Sequence, residues 1–414
     1  MEKIAKFISD SITDHLFDIR HSTYNRLKNI LGSDTINELY IYLRREQKEK
    51  FKETLYKILK DTQIEKQIIE LIESRASIIS KNSQGKSTLC RLFYGTNREP
   101  NDKNDHSKGY GNIRAEEVFM GNCTVSIPKC HKKGQIKGSL WKKLIKWDAS
   151  YGDLKLETIG YMNEEDFWDN INALFDPLEF EEKQALVFIH GYNTSFKEAS
   201  IRAAQLAVDL ANPGITAFFS WPSKGEILGY LSDEAAIQYS EKYIAEFLTK
   251  LSKQTQVNRL HIIAHSMGNR GLLEAINIIN QRSPEIEFGQ IILAAPDVDA
   301  DVFNQKAEAY TNVSEQTTLY ISAKDKAVNA SEWIHSYYRA GFTPPVSIVD
   351  CMDTIKVDEE VDLLELGHGY FAEHKTLLED ISQLMSMNLH AEDRGRISED
   401  LTKEPNAEYW KLKI

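Results

Sequence analysis

The sequence predicts an α/β fold, a mostly parallel sheet covered by helices on both faces, with a small helical domain in front of it. Three observations carry this reading. From about Leu89 onward, apolar runs of strand length alternate with longer amphipathic segments. Four of those strands are near-continuous apolar runs, as parallel strands buried on both faces must be. Residues 1–81, in contrast, hold no proline and a single glycine, Gly32, with charged residues interleaved among Ile, Leu, Phe and Tyr.

The helical region is read as residues 1–82, three or four amphipathic helices. Ser33 or Asp34 is a good N-cap for "SDTINELYIYL", and Gly32 closes the helix before it. Leu55, Ile58, Leu59, Ile64, Ile68, Ile69 and Ile72 form an apolar stripe, suited to a bundle core or to self-association and protein partners. "SKNSQGKST" follows as a linker. Its Gly85-Lys86-Ser87 resembles the end of a phosphate-binding loop, but that loop needs a glycine where Ser80 stands, and no strand precedes it.

Residues 83–388 form the α/β domain. "CRLFYGT", "NCTVSIP" and "KLETIGYM" read as its early strands, followed by a helix from about Glu164 to Phe175. The regular series comes next: strand "ALVFIHG", helix "SFKEASIRAAQLAVDLA", strand "TAFFSW", helix "SDEAAIQYSEKYIAEFLTKLS", strand "LHIIAH", helix "GNRGLLEAINIINQ", then strands "IILAAP" and "TLYISA". Ser195 and Glu198 make a capping box at the first of these helices, and "NPG" at residues 212–214 ends it. Residues 389–414 read as a polar tail.

Composition excludes several classes of function. In 414 residues, 42% hydrophobic and 27% charged, the balance is that of a globular protein. A net charge of −12 argues against nucleic acid and anionic membrane surfaces as principal partners, which are bound through excess Lys and Arg. Cys90, Cys123, Cys130 and Cys351 are too few and scattered for a disulfide framework, and Cys130-His131 lacks the spacing of a metal site. No leader or membrane span is apparent, so a cytoplasmic location is expected.

The chemistry gathers where strands end. "HIIAHSMGNR" runs from a buried strand straight into a helix, and Ser266 stands on the turn between them. Such a turn holds a serine hydroxyl above the sheet beside the free N–H groups of a helix N-terminus. It needs small residues two before and two after the serine, which Ala264 and Gly268 supply. A hydroxyl needs a histidine to take its proton and an acid to orient that histidine, in the chain order Ser, acid, His. Asp325 in "LYISAKD" and His368 in "LELGHGYF" meet that order. Asp297, Asp299 and Asp301, one strand earlier, are alternative acids; Asp325 is preferred. His335 and His374 fall in helix-like segments, where packing or solvation is the ordinary role.

An oxyanion hole completes the set. Its N–H donors are expected from Met267 and from Tyr192, whose neighbour Gly191 permits close backbone approach. His190 and Asn193 are expected to shape that loop. Trp221 and Pro222 are candidates for lining a pocket, with core packing the alternative for Trp221, and His265 borders the same turn.

Taken together, "VFIHGYNTSFKEA", "FSWPSKG", "HIIAHSMGNR", "LAAPDVD", "LYISAKD" and "LGHGYF" resemble, in order and context, an α/β-hydrolase family of unknown function. "RLFYGTNREP" and "VSIPKCHKKGQI" are similar to its early strands. The resemblance covers roughly Leu89 to Leu384 and implies an α/β-hydrolase fold with Ser266 as nucleophile, Asp325 as acid and His368 as base, without cofactor or metal. The expected function is a serine hydrolase acting on an acyl ester, thioester, amide or lipid. A serine peptidase and a non-catalytic scaffold on the same fold are the alternatives. The leading helices resemble adaptor portions of bacterial conflict-system effectors, which would imply recruitment in antiphage defence.

Overall fold

The computed structural model describes residues 79–81, 87–128, 154–212, 214–225, 229–322, 337–350, 352–357, 375–395, 397–399 and 409–412. Residues 1–78 of the expected helical region, Asp325, His368, Cys130 and Cys351 lie outside the described residues; residues 79–81, read as the end of that region and the start of a linker, form a strand instead. Among the described residues, twelve strands form one sheet.

In chain order these are β1 (Ile79–Lys81), β2 (Ser87–Pro100), β3 (Tyr110–Pro128), β4 (Lys155–Met162), α1 (Glu164–Phe175), β5 (Gln184–Ile189), α2 (Phe196–Asp209), β6 (Ile215–Ser220) and α3 (Tyr230–Gln254). They continue with β7 (Arg259–His265), α4 (Gly268–Arg282), β8 (Phe288–Ala294), α5 (Ala300–Lys306), α6 (Glu308–Thr311) and β9 (Ser314–Ile321). β10 (Met352–Lys356), α7 (Lys375–Met387), β11 (Ile397–Glu399) and β12 (Trp410–Leu412) complete the series.

The spatial order is β11-β12-β10-β9-β8-β7-β5-β6-β2-β3-β4, with β1 on β2. Pairings from β2–β6 through β10–β12 are parallel, and β2, β3 and β4 form an antiparallel meander at one side. Strand alternation sends side chains to two cores. Val187, Ile189, Phe219, Ile262 and Leu293 face α1, α3, α4, α5 and α6. Leu186, Phe188, Phe218, Ile263 and Ile292 face α2 and α7. The expected α/β layering, with helices on both faces, is therefore observed.

Two further features differ from the expectation. β2 and β3 run well beyond "CRLFYGT" and "NCTVSIP", because the exposed, charged stretch of β3 pairs along the meander. The segment after residue 388 is not merely a polar tail: it adds β11 and β12 to the sheet. Buried Arg394 anchors it, donating to Asp380 of α7 at 3.1 Å and to Asp353 of β10 at 3.2 Å. A buried guanidinium is tolerated only with such partners.

β5 positions the site. The chain leaves β5 through α2 to β6 on one side, then returns through α3 to β7 on the other. The carboxyl ends of β5 and β7 thus flank the switch in strand order, where parallel sheets open a crevice for ligands.

Candidate active site

Ser266 follows β7 with φ +50°, a left-handed backbone that costs a non-glycine residue roughly 1–2 kcal/mol. The surroundings hold it there. Its N–H donates to Ala294 O at 2.9 Å, while its carbonyl accepts from Asn269 N–H at 3.0 Å and Asp297 N–H at 3.2 Å. Asn269 Nδ2 also donates to Ala264 O at 3.1 Å and Ser266 O at 3.0 Å, tying strand to helix across the turn. α4 begins at Gly268, so the N–H groups around Met267 lie at a helix N-terminus. Ser266 and Met267 are buried.

Two glycines let the β5 and β7 ends approach. A Cβ on Gly268 would lie 2.5 Å from His190 O, and one on Gly191 would lie 2.9 Å from Ser266 Cβ. Both are far inside ordinary contact, so glycine is required at each. Ala264, which stands where the usual turn has glycine, is fully buried in the core there.

The loop after β5 is fixed from several sides. His190 Nδ1–H donates to Gly191 O at 2.8 Å, which leaves Nε2 as the acceptor facing Ser220 Oγ at 3.2 Å. Burial, with Arg98 adding to it, pulls His190 down to about 3, so the ring is neutral and enclosed. It stacks on Trp221 at 4.9 Å, and Trp221 Nε1 donates to His190 O at 2.7 Å. Trp221 is fully buried, which gives it the core-packing role beneath the loop rather than a place on an open wall.

Arg98, 1% exposed, donates to Thr194 O at 2.7 Å, Ser223 O at 3.0 Å and Ser220 Oγ at 2.8 Å. Asp233 accepts from Asn193 N–H at 3.1 Å, and Ser223 Oγ accepts from Thr194 N–H at 3.0 Å. Tyr192, half-buried on this loop, packs edge-on against Tyr230 at 5.4 Å. These bonds fix the backbone that follows Tyr192.

Asp297, the alternative acid, is already engaged. Tyr230 Oη donates to it at 2.6 Å, Arg270 Nη2 at 3.2 Å, and Arg339 Nε lies 3.6 Å away. Burial works against the Arg270 charge, yet Asp297, Tyr230 and Glu234 together raise its pKa. Asp299 caps α5, accepting from Asp301 N–H and Val302 N–H. His265, at the end of β7, is nearly buried beside Gly191.

The structure therefore brings Ser266, Met267, Gly191 and His265 together at the carboxyl ends of β5 and β7, with Tyr192 next along the β5 loop and Asp297 behind the turn. Asn269, Arg98, Asp233 and Arg270 are the supporting residues that sequence reasoning missed. Arg98 alone left a signal, an arginine close after an apolar strand run. Among the described residues no group of His, Cys, Asp and Glu could hold a metal ion, and no helix is long and apolar enough to cross a membrane.

Residues 171–387, just over half of the chain, match the family described as "Alpha/beta hydrolase of unknown function (DUF900)". The chain belongs to this family. The chain is similar to an uncharacterized protein of Nostoc sp., 24% identical over 187 residues that cover 36% of this chain and 49% of the relative. The chain thus spans about half the length of the curated relative it matches. Among solved structures it is similar to dienelactone hydrolase from Anabaena variabilis, at 13% identity and a TM-score of 0.30, over 66% of this chain and 90% of that one.

Proposed function

We propose that this α/β hydrolase is a serine hydrolase that cleaves an acyl ester, thioester or amide through an acyl-enzyme on Ser266. The observation that carries the reading is the left-handed Ser266 at the head of α4, facing the Gly191 loop across the sheet's switch point.

His368 is the base and Asp325 its orienting acid. Asp325 comes three residues after Ser322, whose N–H donates to Gly341 O at the carboxyl end of β9. An acid that follows a parallel strand's carboxyl end in the chain has the sequence position the triad order calls for. Asp297 is held by Arg270, Arg339 and Tyr230, which favours Asp325 for the triad.

His368 takes the Ser266 proton as Oγ attacks the acyl carbon. The oxyanion settles on the N–H groups of Met267 and Tyr192, each such donor being worth about 3 kcal/mol in a preorganised site. His368 then protonates the leaving group, and water repeats the sequence to free the acid. No metal or cofactor enters these steps.

The test is a panel of p-nitrophenyl esters, acyl thioesters, phospholipids and peptides, with the single variants Ser266→Ala, His368→Ala and Asp325→Ala. On the substrate turned over, Ser266→Ala should lower kcat/KM by at least about 10⁴-fold. Unchanged turnover by Ser266→Ala would remove the reading, and turnover of peptides alone would make the protein a peptidase.

A further inference from the structure

Behind the Ser266 turn, a groove of about 490 Å³ opens between α3, α4 and α5, and nothing in the proposed triad uses it. Its floor is apolar, with Leu273 and Val298, and Tyr337 stands at its rim. Charged groups of both signs line the remaining wall, and most of them are already matched. Glu234 is bonded to Arg270, Glu274 to Lys306, and Asp299 to the first turn of α5.

Two groups in that wall are only partly matched. Arg339 is 3% exposed, and its Nη2 has no hydrogen-bond partner; its Nε has only the Asp297 carboxylate at 3.6 Å. A buried donor left without an acceptor is penalised by about 1–3 kcal/mol, more when charged, unless something else supplies one. Glu241, half-buried on α3, is the other. Burial and the neighbouring Glu274 carboxylate push it up to about 7, with Lys306 opposing them. A cation placed beside it would therefore be drawn in.

We propose that this groove binds a small zwitterionic ligand of the amino-acid class, its carboxylate on Arg339 and its ammonium on Glu241. A single anion would satisfy Arg339 but meet four carboxylates along the groove, Glu234, Glu241, Glu274 and Asp299. A simple cation would satisfy Glu241 and leave the guanidinium as it was. A ligand carrying both charges answers both, and the apolar floor suits the methylenes between them. The groove shares Arg270 and, through it, Asp297 with the Ser266 turn, whose carbonyl Asp297 N–H holds at 3.2 Å. Binding itself does not depend on Ser266 chemistry.

Calorimetric titration of the full chain at pH 8 with ω-amino acids, from glycine to 6-aminohexanoate, measures the spacing. One chain length should saturate in the millimolar range, at least tenfold tighter than acetate or methylammonium alone. Glu241→Gln should weaken it at least tenfold, and lowering the pH to 6 should weaken it too, because Glu241 must be ionised. Ser266→Ala should bind as the unaltered protein does, which separates this result from any failure of the hydrolase reading. Absence of binding throughout the series, or equal binding by Glu241→Gln, overturns the proposal. Arg339→Lys is the second variant; if folded by circular dichroism, it too should bind at least tenfold more weakly, and unchanged binding would count against the assignment.

Discussion

β7 and β8 lie side by side in the sheet, and each runs into a non-glycine residue at positive φ: Ser266 at +50° after β7, Ala295 at +44° after β8. The backbone device is the same, yet the residues beyond it differ. After Ser266 a 15-residue helix starts almost at once, and the serine itself carries a hydroxyl. After Ala295 come Pro296 and Asp297, and the turn is closed by Gly341, where a Cβ would lie 2.4 Å from Ala295 C. The β8 turn has no reactive group at its tip. Its carboxylate points its chemistry inward, gathering Arg270, Arg339 and Tyr230. Strain alone therefore does not mark a nucleophile; the proposed role of Ser266 rests on strain together with a hydroxyl at a helix N-terminus.

The largest effect that would sharpen this contrast is on the β8 side. Asp297→Ala leaves two mostly buried guanidinium groups without their carboxylate, and should lower unfolding free energy by about 3–5 kcal/mol in urea titrations. If Asp297 supports rather than reacts, as proposed, kcat/KM measured well below the melting temperature should fall less than tenfold. Asp325→Ala should do the opposite, costing activity by roughly 10³-fold or more with little change in stability. Reversal of these two patterns would exchange the roles assigned to the carboxylates.

The β5 end, which faces Ser266, gives a pH signature. His190 is neutral in the fold and titrates near 6.5 when unfolded, so the unfolded chain binds the extra proton first. Stability from this group is present above pH 6.5 and is lost as pH falls towards about 3, at about 1.4 kcal/mol per pH unit. His190→Gln should flatten the stability profile in that window. An unchanged slope would mean that other groups govern acid unfolding.

The smallest effect separates the two strained turns most cleanly. Ser266→Gly and Ala295→Gly each relieve a left-handed residue, and each should raise stability by up to about 1 kcal/mol. Only Ser266→Gly should abolish turnover. If Ala295→Gly were equally inactive, the turn geometry rather than the hydroxyl would be the catalytic requirement.

Much of the fold is legible in the sequence, for definite reasons. Buried parallel strands must be apolar along their length, so β5 to β9 announce themselves, as does α2 through Ser195 and Glu198, whose capping box forms as expected. Ser266, Gly191 and Gly268 are legible because a tight strand-to-helix turn restricts residue size in a fixed pattern. β10, β11 and β12 are not: they are five residues or fewer, mixed in polarity, and stabilised by long-range partners such as Arg394. The pairing of the Gly191 loop with its supports is hidden for the same reason, since Arg98 and Asp233 meet it from 96 and 40 positions away. Trp221 illustrates the limit of pattern alone: its place after a strand suggests a pocket wall, and burial against His190 settles it in the core.

The central claim is that Ser266 Oγ is an activated nucleophile. Reaction of the full chain with a fluorophosphonate, followed by peptide mapping by mass spectrometry, tests it most directly. The account predicts one adduct on the peptide containing Ser266, absent in Ser266→Ala and strongly reduced in His368→Ala. Labelling at another residue, or equal labelling of Ser266→Ala, would contradict it.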